Sequence, residues 1–341
     1  MSESFLAKNG EPLIKVENLC VDFKIGKELL HAVRDISFTL NQGEIIGVVG
    51  ESGSGKSVSA TALLGLLGST ARVTGNIFIN GQEALKFKSN QIQTMRRNFF
   101  GAIFQEPSRS FDPIYTIEKT FFETFRATNP SITKTESFDK AVSLLEEVAI
   151  ANPASRLKNY PHQFSGGMLQ RIMIALALAN DPKVLIADEP TTALDVTIAD
   201  QIVQLLKGLQ VRRKLSIIFI SHNLPLVSQI SHRILVMYGG KILESGRTID
   251  VISEPKSPYT FGLLHSLPKL GTHYKTEKLF TIGGPTYNPV SDTTGCPFAP
   301  RCDYAKKLCF SSTPSEHKIG EQLVACHFPL SFGNNPILGG P

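Results

Sequence analysis

The string GESGSGKS, Gly50 to Ser57, follows directly on the apolar run EIIGVV, and this junction constrains the chain more than any other feature in it. The run reads as a buried strand, and the string fits the pattern GxxxxGK followed by Ser or Thr. A strand that feeds a glycine-rich loop and then a helix calls for an α/β fold with a parallel sheet. In such a turn the glycines let backbone N–H groups converge on phosphate oxygens, while the helix directs its positive end at them. Gly50, Glu51, Ser52, Gly53, Ser54 and Gly55 form the candidate cradle; Lys56 would reach β and γ phosphates and Ser57 would hold Mg²⁺. A Gly/Ser-rich surface turn would spell similar letters, so the remainder of the chain has to decide.

Short β-rich runs (LIKVENLCVDF, AVRDISFTL, VTGNIFI) surround this loop between residues 13 and 81 and predict an antiparallel β layer beside a nucleotide core. From Thr116 to about Ala179 the periodicity turns helical, with TIEKTFFETFRA and FDKAVSLLEEVAI as amphipathic segments, which predicts an inserted helical subdomain. Strand rhythm returns in VLIAD (Val184 to Asp188) and SIIFIS (Ser216 to Ser221), with a helix from about Thr197 to Val211 between them. Strand, helix, strand makes a crossover unit. Beyond Gly246 the chain is rich in Pro and Gly (SEPKSPYT, SLPKLG, IGGPTYNP) and reads as an irregular extension. The expected division is residues 1–250 and 251–341, with the helical insertion at about 106–180.

Asp188 ends its strand and Glu189 follows it, at the sheet edge where ligands of α/β folds collect. Asp188 would bind Mg²⁺, directly or through water, and Glu189 would polarise a water attacking the γ phosphate. Read in isolation, the pair is equally a strand end facing solvent. Gln105, in AIFQEP, is placed to contact Mg²⁺ or that water; His222, after SIIFIS, is placed to hydrogen-bond the γ phosphate, or to serve the fold alone. Ser165, Gly166 and Gly167 open a helix whose apolar positions Met168, Ile172, Leu176 and Ala179 recur every three or four residues. This second helix N-terminus is either a further anion site or an ordinary Ser cap.

The 35 basic and 30 acidic residues leave a net charge of +5, too mild and dispersed to argue for nucleic acid. The longest apolar run, IMIALALA, is far short of the ~18 residues of a membrane span. MSESFLAKNGEP shows neither a basic start nor an apolar core, so the expectation is a chain kept in the cytosol. Cys296, Cys302, Cys309 and Cys326 crowd together while Cys20 stands apart; in a cytosolic chain such a group reads as a metal site before it reads as disulfides. Their spacings of six, seven and seventeen residues are unlike the close pairs of zinc ribbons.

The ordered set GESGSGKS, Gln105, FSGGM, VLIADE, ALD and His222 resembles the ATP-binding cassette (ABC) ATPase family over residues 13 to about 250. The resemblance implies a P-loop NTPase of the ABC ATPase type: an α/β fold with an antiparallel β subdomain and an inserted helical subdomain. It implies a head-to-tail dimer in which ATP lies between the phosphate loop of one subunit and the Ser165, Gly166, Gly167 helix of the other. It brings Asp195 of ALD into the nucleotide site, and Phe23, about thirty residues before Lys56, as the ring stacked on adenine. Met168 replaces the Gln of many cassettes, Leu169 a common Arg, and Asn223 the Asp usual after the His.

IFQEPSRSFDPIYTI, YPHQFSGGMLQRIMIALALA and VMYGGKILESG, with the tail strings SEPKSPYTFGLL, GCPFAPRCDYAKKLC and ACH, resemble the D-type ATPase subunit of oligopeptide and dipeptide importers. That resemblance implies a 4Fe-4S cluster on the four cysteines, with Zn²⁺ the alternative. It also implies a homologous second ATPase subunit, two transmembrane permeases, an extracytoplasmic peptide-binding protein and a peripheral place on the cytoplasmic face of the membrane. The helical insertion and the loop after Gln105 would meet the permeases. Import of nickel or another small solute, and a soluble cassette working on nucleic acid or ribosomes, are the competing readings.

Overall fold

The computed structural model describes residues 11–192, 194–266, 281–290 and 294–331. Residues 1–10, Ala193 of the ALD string and Leu267 to Gly271 of SLPKLG lie outside them. Two sheets follow from the two hydrophobic patterns in the sequence. The alternating runs form β1 (Ile14–Ile25), β2 (Glu28–Leu40), β4 (Ala71–Ile79) and β5 (Gln82–Glu83), an antiparallel sheet of order β2-β1-β4-β5. The continuously apolar runs form β3 (Ile45–Val49), β6 (Phe100–Ile103), β7 (Val184–Asp188), β8 (Ser216–Ser221) and β9 (Arg233–Tyr238). These pair in parallel in the order β9-β3-β8-β7-β6. All residues of β3 and β8 are buried, as expected of strands covered on both faces.

The pleat sends alternate residues of these strands into two cores. Ile45, Val49, Ile217 and Phe219 join the core under the helical insertion, whereas Ile46, Val48, Ile218 and Ile220 join the core under the antiparallel sheet. The insertion between β6 and β7 carries helices at Ile117–Arg126, Lys134–Glu147 and Gly166–Ala177. Their starts are written locally: Thr116 accepts the Lys119 N–H, and Thr133 and Glu136 form a reciprocal capping box. Ile117, Phe121 and Phe125 recur every four residues and bury one face of the first of these helices.

The extension is more ordered than its Pro and Gly content predicts. β10 (Lys241–Arg247) turns antiparallel to β9 and pairs with β12 (Gln322–Ala325), which pairs with β11 (Glu316–Ile319). The tail therefore continues the main sheet to eight strands, in the order β11-β12-β10-β9-β3-β8-β7-β6. Four-residue strands such as EHKI are too short and too polar to show alternation, so the sequence hid them. Exposed charged residues on β11 suit its place at the sheet edge. Helices at Thr248–Ser253 and Pro258–His265 pack this segment onto the first core, to which Tyr259 and Phe298 both belong. Among the described residues no helix is long and apolar enough to cross a membrane.

Candidate functional site

The carboxyl ends of β3, β6, β7 and β8 face one edge of the sheet, and the loops leaving them wall a cleft of about 730 Å³. Gly50 to Ser57, Val58, Gln105, Glu189, His222 and Leu263 line it. The loop from β3 wraps the Lys56 ammonium, which donates to the Gly50 carbonyl (2.7 Å), the Glu51 carbonyl (2.9 Å) and the Ser54 hydroxyl (3.3 Å). Gly55 must be glycine: its φ is +98°, and a Cβ there would lie 2.5 Å from the Ala32 carbonyl oxygen. Burial lowers the Lys56 pKa, against the opposing pull of Glu189, Asp188 and Glu51.

Ser57 opens the helix Lys56–Leu63 and donates its hydroxyl to Asp188 Oδ1 at 2.9 Å, across 131 residues of sequence. Burial pushes the Asp188 carboxyl up; the Glu189 charge adds to this, while the Ser57 hydrogen bond and Lys56 oppose it. A hydroxyl and a half-buried carboxylate in contact, both oxygen donors, fit a hard divalent cation such as Mg²⁺.

Glu189 adopts φ +51°, a left-handed conformation uncommon for a side chain of this kind, which turns the chain sharply after β7. Its carboxylate accepts from the Thr192 hydroxyl (2.8 Å) and the His222 N–H (3.1 Å), and lies 3.0 Å from His222 Nδ1. Thus Glu189 is held in one orientation within the cleft by the ends of β7 and β8, and His222 is bound to it. Gln105, two residues past β6, is exposed on the cleft wall.

Ser165, Gly166 and Gly167 do not line this cleft. Ser165 caps its helix, its Oγ accepting the Met168 N–H at 3.4 Å. The two glycines differ. A Cβ on Gly167 would come within 2.8 Å of Ile198 Cγ2, so its absence lets two helices approach. Among the described residues, a Cβ on Gly166 would meet Leu194 alone, at an ordinary 3.7 Å, so their packing does not require that glycine. Asp195 caps the helix Val196–Arg213 by accepting the Ile198 N–H at 2.9 Å and is likewise outside the cleft. Asn223 performs the same service for the helix Leu224–Ile230, its Oδ1 accepting the Leu226 N–H at 3.2 Å. Phe23 lies on β1, half-buried against the second core, and is not among the cleft-lining residues.

Cys296, Cys302, Cys309 and Cys326 line a single small cavity of about 20 Å³, walled by Leu243, Pro258, Phe298 and Phe328. All four are free thiols; burial pushes Cys296 and Cys302 up to about 11, and raises Cys326 too. Among the described residues, no three His, Cys, Asp or Glu side chains are drawn close enough to hold a metal ion. The four thiols share a pocket without closing into a cage. Cys20 is elsewhere, on β1, with its Sγ accepting the Asp35 N–H at 3.2 Å.

Sequence reasoning missed four residues at the cleft and behind it: Thr192, which orients Glu189; Leu263, on the cleft wall; and Tyr259 and Arg301, which touch Glu51 from the extension. The last lies inside the string GCPFAPRC, whose cysteines drew the attention.

Two family models match this chain: ABC transporter over residues 33–192, and oligopeptide/dipeptide transporter, C-terminal region, over residues 243–309. It is 43% identical over 333 residues to the dipeptide transport ATP-binding protein DppD of Haemophilus influenzae, covering 95% of this chain and 98% of that one. With the oligopeptide transport ATP-binding protein OppD of Escherichia coli the identity is 40% over 323 residues, covering 95% of each. Among solved structures, the dimeric ABC transporter cassette MJ0796 superposes with a TM-score of 0.62 at 26% identity, over 69% of this chain and 98% of that one. A post-hydrolysis dimer of the same cassette, bound to ADP and Pi, gives 0.62 at 25% identity, over 69% and 98%.

Proposed function

The chain belongs to the ABC transporter family of ATP-binding subunits, in the branch that carries the oligopeptide/dipeptide C-terminal region, and from that premise we propose how its cleft turns over ATP. It is the ATPase subunit of a peptide importer, coupling ATP binding and hydrolysis to uptake of dipeptides or oligopeptides. The observation that carries the mechanism is the convergence of Lys56, the Ser57–Asp188 contact and the Glu189–His222 pair on one cleft.

In this reading the backbone from Gly50 to Gly55 cradles the phosphates, and Lys56 exchanges its loop carbonyls for β and γ phosphate oxygens. Ser57, Asp188 and Gln105 would hold Mg²⁺, which would supply charge neutralisation at the phosphates. Glu189, fixed by Thr192 and His222, orients and polarises the attacking water; His222 donates to the γ phosphate. Ser165, Gly166 and Gly167 serve the cleft of a second ATPase subunit, with Asp195 at the same seam. The freedom around Gly166 supports this, since among the described residues no neighbour requires it to be small. The dimeric state of the MJ0796 cassette is consistent with it. Phe23 is assigned to the adenine.

We assign residues 1–250 to the cassette, with the helical insertion at about 106–180, and 251–341 to the extension. Two permeases and an extracytoplasmic peptide-binding protein complete the importer, and the second ATPase is a homologue of this chain. This places the chain peripherally at the cytoplasmic face of the membrane. Phe104, next to Gln105, and Ile114 and Tyr115, in the segment after it, are exposed and offer the permeases apolar contacts. We assign a 4Fe-4S cluster to the four-cysteine pocket because its thiols share one apolar cavity; since they do not close into a cage as described, the cluster would have to draw them together on binding.

The test is mild-detergent purification of the complex from native membranes, identification of the co-purifying subunits, and ATP hydrolysis measured with and without peptide-loaded binding protein. Stimulation by peptide is expected. A binding protein that carries nickel and ignores peptides would overturn the substrate assignment, and recovery with nucleic acid in place of permeases would overturn the transport reading.

A further inference from the structure

Every polar group of Glu51, the second residue of the phosphate loop, is occupied, and two of the three occupants come from the protein itself far along the chain. Its carbonyl accepts from Lys56 Nζ at 2.9 Å. Its N–H donates to the Tyr259 hydroxyl oxygen at 2.9 Å. Its carboxylate takes both arms of the Arg301 guanidinium, Nη1 to Oε2 at 2.6 Å and Nη2 to Oε1 at 3.1 Å, across 250 residues. Such a two-armed pair fixes orientation as well as distance.

Arg301 is itself built in. Its side chain is 6% exposed, and its remaining N–H groups donate to the Gly283 carbonyl (2.9 Å), the Tyr238 hydroxyl (3.1 Å) and the Ile282 carbonyl (3.1 Å). All five donors of the guanidinium are thereby used. The guanidinium also stacks over Tyr238, 5.7 Å from the ring centroid. Tyr238, Tyr259 and Phe298 form a closed ring cluster with centroids 4.7 to 5.3 Å apart, so the two residues that touch Glu51 share one rigid support. Arg301 ends the turn Ala299–Arg301 and directly precedes Cys302.

We propose that Arg301 is a positioning residue for ATP: through Glu51 the Cys-rich extension clamps the phosphate loop and sets how Lys56 is presented to the nucleotide. The step rests on the reading of this loop as the ATP site. A buried ion pair is a poor source of stability, because desolvation cancels much of its attraction. Its value here is geometric. The Gly50 and Glu51 carbonyls that hold Lys56 belong to the segment that Arg301 and Tyr259 tie down, so releasing Glu51 frees the lysine's resting place.

The experiment uses the full chain, with Arg301→Gln, Arg301→Lys, Glu51→Gln, the Arg301→Gln/Glu51→Gln double variant and Tyr259→Phe. A fluorescent ATP analogue with Mg²⁺ reports Kd, and thermal unfolding and iron content are recorded alongside. Arg301→Gln is expected to weaken binding about tenfold, with Arg301→Lys recovering part of the loss. The double variant should bind no worse than the poorer single, since it leaves no buried charge unpaired. In the assembled importer the KM for ATP should rise more than kcat falls, which loss of fold alone would not produce. A folded Arg301→Gln chain with the wild-type Kd, or losses that simply add in the double variant, overturns the clamp. Should Arg301→Gln fail to fold, Tyr259→Phe decides: it keeps the packing and removes the acceptor for the Glu51 N–H, and an unchanged Kd sinks the proposal. Wild-type chain that does not bind the analogue would instead sink the ATP site.

Discussion

Replacing Glu189 by Gln separates binding from chemistry, because the change is isosteric and confined to one charge. The carboxylate accepts from Thr192 and twice from His222 at 2.8 to 3.1 Å. The amide keeps one acceptor oxygen and turns an NH₂ toward the other donor, at a cost to folding of about 1–3 kcal/mol. The nucleotide cradle is not touched: Lys56 keeps its contacts with Gly50, Glu51 and Ser54, and Ser57 keeps Asp188. Lys56 loses one of the three carboxylates that oppose the lowering of its pKa by burial. An amide cannot take a proton from water. Loss of that step should slow turnover about 10²- to 10⁴-fold, equivalent to about 3–5 kcal/mol in the barrier. The assay is phosphate release by the assembled importer, paired with the Kd for an ATP analogue. Hydrolysis within about threefold of wild type, with contaminating ATPases excluded, would refute the assignment of Glu189 as the group that activates water.

Lys56→Ala should act in the opposite way, weakening nucleotide binding about tenfold or more in direct titration, because it removes the buried ammonium around which the loop is folded. Gly166→Leu should leave the isolated chain folded and its ATP affinity within about twofold while hydrolysis by the assembled dimer falls about tenfold or more; loss of ATP affinity in the folded monomer would move this glycine into its own chain's pocket. Gly167→Ala should instead lower the thermal midpoint, since its Cβ collides with Ile198 and overpacking costs about 1–3 kcal/mol. Anaerobically purified protein should be brown, with about four iron and four sulfide per chain; Ser at Cys296, Cys302, Cys309 or Cys326 should lower that content and Ser at Cys20 should not. Colourless anaerobic protein with one zinc per chain would reject the iron–sulfur cluster and retain the metal site.

What could be read from the letters and what could not divides along the distance between the groups involved. The phosphate loop's hold on Lys56 and the helix caps at Thr116 and Thr133 each complete their geometry within a few residues, and the sequence carries them openly. The hold on Glu189 is harder to see. Thr192 is three residues away and becomes a partner only because φ at Glu189 is left-handed, a choice no side chain in ADEPTT announces. Hardest is Arg301. A string that reads as a cysteine motif contributes its arginine to a loop 250 residues earlier, and only the sheet, extended by β10 and β12, brings the two together.

Gly166 and Gly167 show the same limit at the shortest possible range. The letters are identical and adjacent, and the pattern SGG gives both one meaning. Their neighbours separate them: one is pressed against Ile198 from within the chain, while the other, among the described residues, faces a loose contact with Leu194 alone. The packing of the described residues would let this residue, at a helix N-terminus beside a capping Ser, be larger, and the proposed contact with a second subunit gives its small size a reason. The chain's own cleft is lined by a different set of residues, which is the arrangement that the proposed two-subunit ATP site calls for.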